Sequence, residues 1–192
     1  MRHLITIVLL FATIAVVAWS YKKYKDPPPG TDPRLTNPYC NDPLAVNYNW
    51  GFPGKPDNTI CFYPSDLFVG NYFYYDSVYI SSSGLFISAD SFYVSIVRAS
   101  TANKTSIAMT GNFCGGSGLT IAMTANVGFT AVVDTTIGDT LTLHQGQQFC
   151  HAYDTLTGTI DRDRIDSTLL HFNLQVVSDT TTYSHIGHAV KK

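Results

Sequence analysis

Apolar and polar positions alternate most cleanly at Leu169–Val177, which reads Leu-Leu-His-Phe-Asn-Leu-Gln-Val-Val. Leu170, Phe172, Leu174 and Val176 fall on one side; His171, Asn173 and Gln175 fall on the other. A period of two predicts a strand with one buried and one wet face. Phe92–Arg98 repeats the pattern, with Phe92, Val94 and Ile96 opposing Tyr93, Ser95 and Val97. Weaker alternation predicts strands at Leu67–Tyr75, Gly84–Ser88, Ser106–Thr110, Leu119–Ala125 and Phe129–Val133. It continues at Leu141–His144, Phe149–Tyr153, Thr155–Ile160 and Tyr183–Val190. Turn residues such as Gly115-Gly116-Ser117-Gly118, Asn126-Val127-Gly128 and Gln145-Gly146 separate them. Short strands at this spacing predict an all-β antiparallel barrel or a β-sandwich. No segment carries a sustained helical period; Ser65–Val69 is predicted as a turn.

Composition agrees. All 14 acidic residues are Asp, and there is no Glu. Asp favours caps and turns, where Glu favours helix. The formal net charge is −2 and the charges are scattered. No basic stripe marks a nucleic-acid partner.

The front of the chain is different. Met-Arg-His is followed by Leu4–Trp19, sixteen residues without a charge. A basic start, an apolar run and small residues at Ala18 and Ser20 predict a signal peptide over residues 1–20. The alternative is an uncleaved membrane anchor at residues 4–19, although that run is shorter than the roughly 20 residues a spanning helix needs. Lys22, Lys23 and Lys25 follow at once, and such residues hold their side in the cytoplasm. Residues 21–39 contain Pro27, Pro28, Pro29, Pro33 and Pro38, the composition of a semi-rigid linker.

Cys40, Cys61, Cys114 and Cys150 are the four cysteines. An even count in an exported chain predicts two disulfides, and four cysteines allow three pairings. The local pairing, Cys40 with Cys61 and Cys114 with Cys150, is expected because each bridge then stays within one module. No Cys-x-x-Cys spacing supports zinc or thioredoxin-type redox chemistry.

Two resemblances organise the rest. Cys40, Asp42, Pro43, Ala45, Asn47, Tyr48, Asn49, Asp57, Asn58, Cys61 and Tyr63 resemble a short Cys-x-Asp-Pro-x-Ala-x-Asn-Tyr repeat of exported Gram-negative bacterial proteins. That repeat is associated with calcium-binding thrombospondin-type repeats, so Asp42 and Asp57 are the calcium candidates. Calcium takes six to eight oxygens, usually with several carboxylates, so two are few. Turn capping by these side chains is the competing role. Farther on, Gly70-Asn71-Tyr72 resembles the Gly-x-Trp/Tyr signature on the first strand of lipocalin-like proteins. There the Gly permits a sharp bend and the aromatic plugs the barrel base. The order of strands after it follows a small lipocalin-like domain. The organisation expected is therefore a leader (1–20), a linker (21–39), a disulfide-stapled repeat (40–63) and a lipocalin-like up-and-down barrel (64–192), with a β-sandwich as the alternative.

No catalytic constellation emerges. His185 and His188 are three apart and fall on opposite faces of a strand. His171 lies on a wet face. His151 stands beside a cysteine expected to be oxidised, which removes the thiolate of a Cys-His pair. Gly115–Gly118 lacks the Gly-x-Ser-x-Gly pattern. Asp161–Asp166 alternates acids with arginines, which would repel a cation. The chain is thus expected to be a non-catalytic exported or surface-associated domain with no cofactor. Its partner is a small apolar ligand held by Leu170, Phe172, Leu174 and Val176. The alternative is an interaction module of the cell envelope with a packed core, using the Tyr72-Phe73-Tyr74-Tyr75 cluster and Tyr79 as contact surface. Membrane association is expected only through an uncleaved leader.

Overall fold

The computed structural model describes residues 10–17, 30, 32–116, 118–136, 146–151 and 153–192. Residues 10–17 are helical and exposed. Among the described residues no helix is long and apolar enough to cross a membrane. Most of the leader and of the Pro-rich linker, and the predicted strand Leu141–His144, lie outside the described residues.

A short parallel pair, β1 (Pro38–Tyr39) and β2 (Lys55–Pro56), precedes the barrel. Eight strands follow: β3 (Gly70–Ile80), β4 (Phe86–Arg98), β5 (Ser106–Gly111), β6 (Leu119–Ala125), β7 (Thr130–Val133), β8 (Thr155–Arg162), β9 (Leu169–Ser178) and β10 (Thr181–Lys191). Each pairs antiparallel with its sequence neighbour. β10 returns to β3 with Ala189 opposite Tyr74, so the eight strands close into a barrel. That pairing excludes the β-sandwich.

The inward row of β9 is the predicted one. Leu170, Phe172, Leu174 and Val176 are all buried, and Phe172 packs against Tyr74 at 4.4 Å. Ile107, Met109, Ile121, Met123, Leu156 and Ile160 fill the interior around them. Fully burying such a side chain contributes roughly 1.5–3 kcal/mol relative to exposure. The lower barrel is therefore a packed core.

Its base is sealed. A 3-10 turn, Pro64–Leu67, brings Leu67 and Phe68 under the barrel. Gly70 starts β3 at φ +156°, and Tyr72, 1% exposed, donates its hydroxyl to the Phe68 carbonyl at 2.8 Å. The Arg162 guanidinium donates to the Leu67 carbonyl at 2.8 Å, and Lys191 Nζ to that of Val69 at 2.9 Å.

Three sequence expectations change. Phe86–Ser88, the end of the predicted Gly84–Ser88, and Phe92–Arg98 belong to one strand, β4, with Gly84 and Leu85 outside it. Ala89, Asp90 and Ser91 stay in register with Ser77, Asp76 and Tyr75, so the polar triplet does not break it. Phe149–Tyr153 forms no strand among its described residues, because Cys150 is tied to Cys114 and Asp154 folds the chain back into a turn. The aromatic run splits by parity. Tyr72 and Tyr74 are core; Phe73 and Tyr75 are on the outer wall.

Both disulfides have the local pairing, Cys40–Cys61 and Cys114–Cys150. Such bridges fit an oxidising compartment. The stapled segment rests beside the base through Lys104, whose Nζ donates to Asp42 Oδ2 and to the Tyr63 hydroxyl, each at 2.6 Å.

Candidate functional site

Antiparallel partners share a face, so the register of β3 and β4 ranks the interior by polarity. Tyr72 faces Val94 in the core, and Tyr74 faces Phe92, which is half-buried at its upper edge. One step up the barrel, Asp76 faces Asp90; one more, Val78 faces Ser88. The chemistry of the wall changes at Asp76. Above it a cavity of about 340 Å³ opens at the mouth.

Asp76 is only 6% exposed. Its Oδ1 accepts the Tyr74 hydroxyl at 2.8 Å, and its Oδ2 lies 2.6 Å from His185 Nδ1. A carboxylate only accepts, so Nδ1 of a neutral His185 carries the proton and Nε2 is left as an acceptor. Burial drives the Tyr74 phenol far above its ordinary range, and the charge of Asp76 acts the same way. Tyr74 stays a donor at any physiological pH.

Room for this chain comes from Gly187, the β10 partner of Asp76. A Cβ there would overlap the Tyr75 carbonyl and come within 3.0 Å of the Tyr74 hydroxyl. Gly187 is needed for close approach, not for unusual backbone angles.

Two loops build the rest of the mouth. The β5–β6 loop carries Phe113 and Cys114; the β7–β8 connection carries Phe149, Cys150, His151 and Asp154. The Cys114–Cys150 bridge joins them. Phe92, Phe113 and Phe149 form an aromatic rim, with ring centroids 4.9 Å and 5.9 Å apart in that order. Phe149 also meets the His185 ring edge-on at 5.3 Å.

Asp154 is 6% exposed and lines the cavity just before β8. Its Oδ2 accepts from the Cys150 and His151 amides at 3.1 and 2.8 Å and lies 3.2 Å from His151 Nδ1. Burial pushes this carboxyl up. The Ser178 hydroxyl, the two amides and the His151 ring outweigh it, and the net shift is downward. Ser178 on β9 gives the largest of these downward effects, through its side-chain hydroxyl.

Gln147 holds the β7–β8 connection in place. Its side-chain amide pairs with both the N–H (2.7 Å) and the C=O (2.6 Å) of Ala122 on β6 and donates to the Asp134 carbonyl at 2.9 Å. It stands in for a strand where β7 has ended, and its own carbonyl accepts from Leu156 at 2.8 Å.

The sequence-predicted ligand row divides here. Leu170, Phe172 and Leu174 touch other side chains in the core, whereas Val176 lines the cavity. Only the end of that row borders the cavity. Asp42 and Asp57 do not come together. Asp42 takes the Lys104 ammonium, which with the Leu44 amide lowers its pKa; Asp57 caps the Asn58–Ile60 turn through Thr59. His188 faces outward, stacked on Tyr75 at 4.9 Å; His171 is exposed beside Asp163. His144 lies outside the described residues. Asp76, Asp90, Asp154, Ser178 and Phe113 were missed. The signal for Asp76 was present: it shares the parity of Tyr72, Tyr74 and Val78, a carboxylate on the buried side of a strand.

No family model and no curated protein matches the chain. Among solved structures, a redesigned β-barrel is similar at 13% identity and a TM-score of 0.39, over 67% of this chain and 95% of that one.

Proposed function

We propose that this chain is an exported, lipocalin-like binding domain that holds a small amphipathic ligand in the barrel mouth and does no chemistry on it. The mouth cavity carries the proposal. Its volume is at the lower end of the ligand-pocket range, about 300–1,000 Å³. It offers aromatic and aliphatic surface from Phe92, Phe113, Phe149 and Val176, with converging polar groups at Asp76, Asp154 and His185. The packed barrel below limits the guest to the mouth and disfavours a long acyl chain. The paired cysteines and the leader support export. Thermal melting of the full oxidised chain against a panel of small amphiphiles tests it. A Tm rise with at least one compound is expected, and Val176→Phe, which fills the cavity from its wall, should remove it. Melting unchanged across the panel sinks the proposal.

The packed core favours one other reading, an interaction module of the cell envelope. Its contact surface would be the outer wall, where Tyr75 and Tyr93 are exposed beside Phe73. Binding of an envelope protein that survives Val176→Phe but not Tyr93→Ala would select it.

A further inference from the structure

We infer that the tip of the β3–β4 hairpin seats the barrel mouth on a zwitterionic phospholipid bilayer, from which the cavity takes its amphipathic guest. The inference rests on the ligand-binding reading above and names the source of the ligand.

Leu85, Phe86 and Ile87 are consecutive and are 58%, 53% and 47% exposed. A run of three exposed apolar residues is a fault in a surface that meets only water. Its cause is a shift of register. Val78 faces Ser88 but Tyr79 faces Phe86, so Ile87 is an extra residue in β4. Phe86 thereby joins Tyr79 on the outer side, with ring centroids 5.7 Å apart, and Ile87 stays exposed beside it. Bulges at barrel rims re-aim side chains in this way.

The hairpin end is suited to hydrocarbon. From Val78 to Ala89 it carries no charged residue. Its backbone is satisfied from within the protein. The Ile80 amide donates to the Leu85 carbonyl at 2.9 Å, that of Gly84 to the Ile80 carbonyl at 2.8 Å and that of Ser81 to the Thr182 carbonyl at 2.8 Å. The Leu85 amide donates to the Ser83 hydroxyl at 3.3 Å. Hydrocarbon offers no hydrogen bonds, so a segment that enters it must satisfy its own.

Charge decides the kind of lipid. All six Lys and Arg of residues 64–192, namely Arg98, Lys104, Arg162, Arg164, Lys191 and Lys192, stand at strand ends or turns on the sealed side. Asp90, Asp134 and Asp179 stand toward the mouth. An anionic surface attracts basic segments and would draw the sealed side, so the bilayer that receives the mouth has no net negative charge. The tip is also continuous with the cavity. Val78 and Ser88, opposite each other at the foot of the hairpin end, line it.

All four native cysteines are paired, so one added cysteine takes a polarity-sensitive nitrobenzoxadiazole label in the full oxidised chain. Ser82→Cys places it at the tip and Ser167→Cys at the sealed side. With phosphatidylcholine vesicles the tip label should shift to the blue and be quenched by spin-labelled lipid, and the sealed-side label should do neither. Adding Leu85→Ser and Phe86→Ser should weaken the partition read at the tip by at least about tenfold. Phosphatidylglycerol vesicles should give a weaker tip signal at low salt. A silent tip label, a sealed-side label that responds as strongly, a double Ser variant that partitions as well, or a stronger tip signal on phosphatidylglycerol each overturns the inference. The amphiphile melting panel contains no bilayer and decides the ligand-binding reading separately.

Discussion

Asp76 and His185 meet inside the barrel mouth, Oδ2 to Nδ1 at 2.6 Å, on strands that lie side by side but are 109 residues apart in sequence. The pair holds only while β10 closes on β3. Replacing His185 with Ala leaves Asp76 with the Tyr74 hydroxyl as its remaining donor. A loss of about 1–3 kcal/mol is expected, the cost of an under-satisfied buried polar group. Chemical denaturation checks it. A double-mutant cycle with Asp76→Asn should show coupling, and strictly additive losses would mean the contact contributes nothing of its own.

Asp154 gives stability a pH dependence of defined sign. Its folded-state pKa is depressed, so its contribution is present above the unfolded value of about 3.9 and is lost as pH falls through the lower folded value. Asp154→Asn should flatten the acid limb of stability against pH below about 4. An unchanged acid limb would show that other carboxylates carry it.

Gln147 acts as a surrogate strand for Ala122. Gln147→Ala strands the Ala122 N–H, while the Ala122 carbonyl keeps the Asp134 amide, and about 1–3 kcal/mol should be lost. Amide exchange at Ala122 should accelerate by far more than at Met109 in the lower core; equal acceleration at both would mean global destabilisation only.

The Cys114–Cys150 bridge spans a sequence separation of 36 residues. Loop-closure entropy alone assigns it roughly 4 kcal/mol. The Cys114→Ser/Cys150→Ser double variant should melt lower and lose the amphiphile response together, since Phe113 and Phe149 then lose their tie. A variant that melts lower but binds as well would separate the rim from the site.

Gly187→Ala should be strongly destabilising despite adding one methyl, because the new Cβ meets backbone at Tyr75 and the ring of Tyr74. Pairing this with Tyr74→Phe tests the cause, and a wild-type Tm in Gly187→Ala would refute it.

Strand periodicity made most of the barrel legible. Leu170, Phe172, Leu174 and Val176 alternate so regularly that their inward face is plain from the sequence, and the local disulfides follow from keeping each bridge within one module. The failures have a common origin. Asp90 and Ser91 look like a turn, yet register with β3 carries them through, and register is not visible in one strand read alone. The mouth was missed because its members come from both ends of the domain. Asp76 and His185 become neighbours only on closure, and Asp154 gains meaning from a turn that resembled a strand. By composition the aromatic run Tyr72–Tyr75 reads as one surface, but by parity it divides between the core and the outer wall.

The chain enters β3 at Gly70 on the sealed side, and Lys192 leaves on that same side, its amide on the Asn71 carbonyl at 2.9 Å. The stapled segment sits there too, held by Lys104. Every mouth loop is therefore internal to the chain. Immobilising or fusing the protein through either terminus of the barrel points the opening away from the attachment, so surface-capture formats should report the same affinity as free solution.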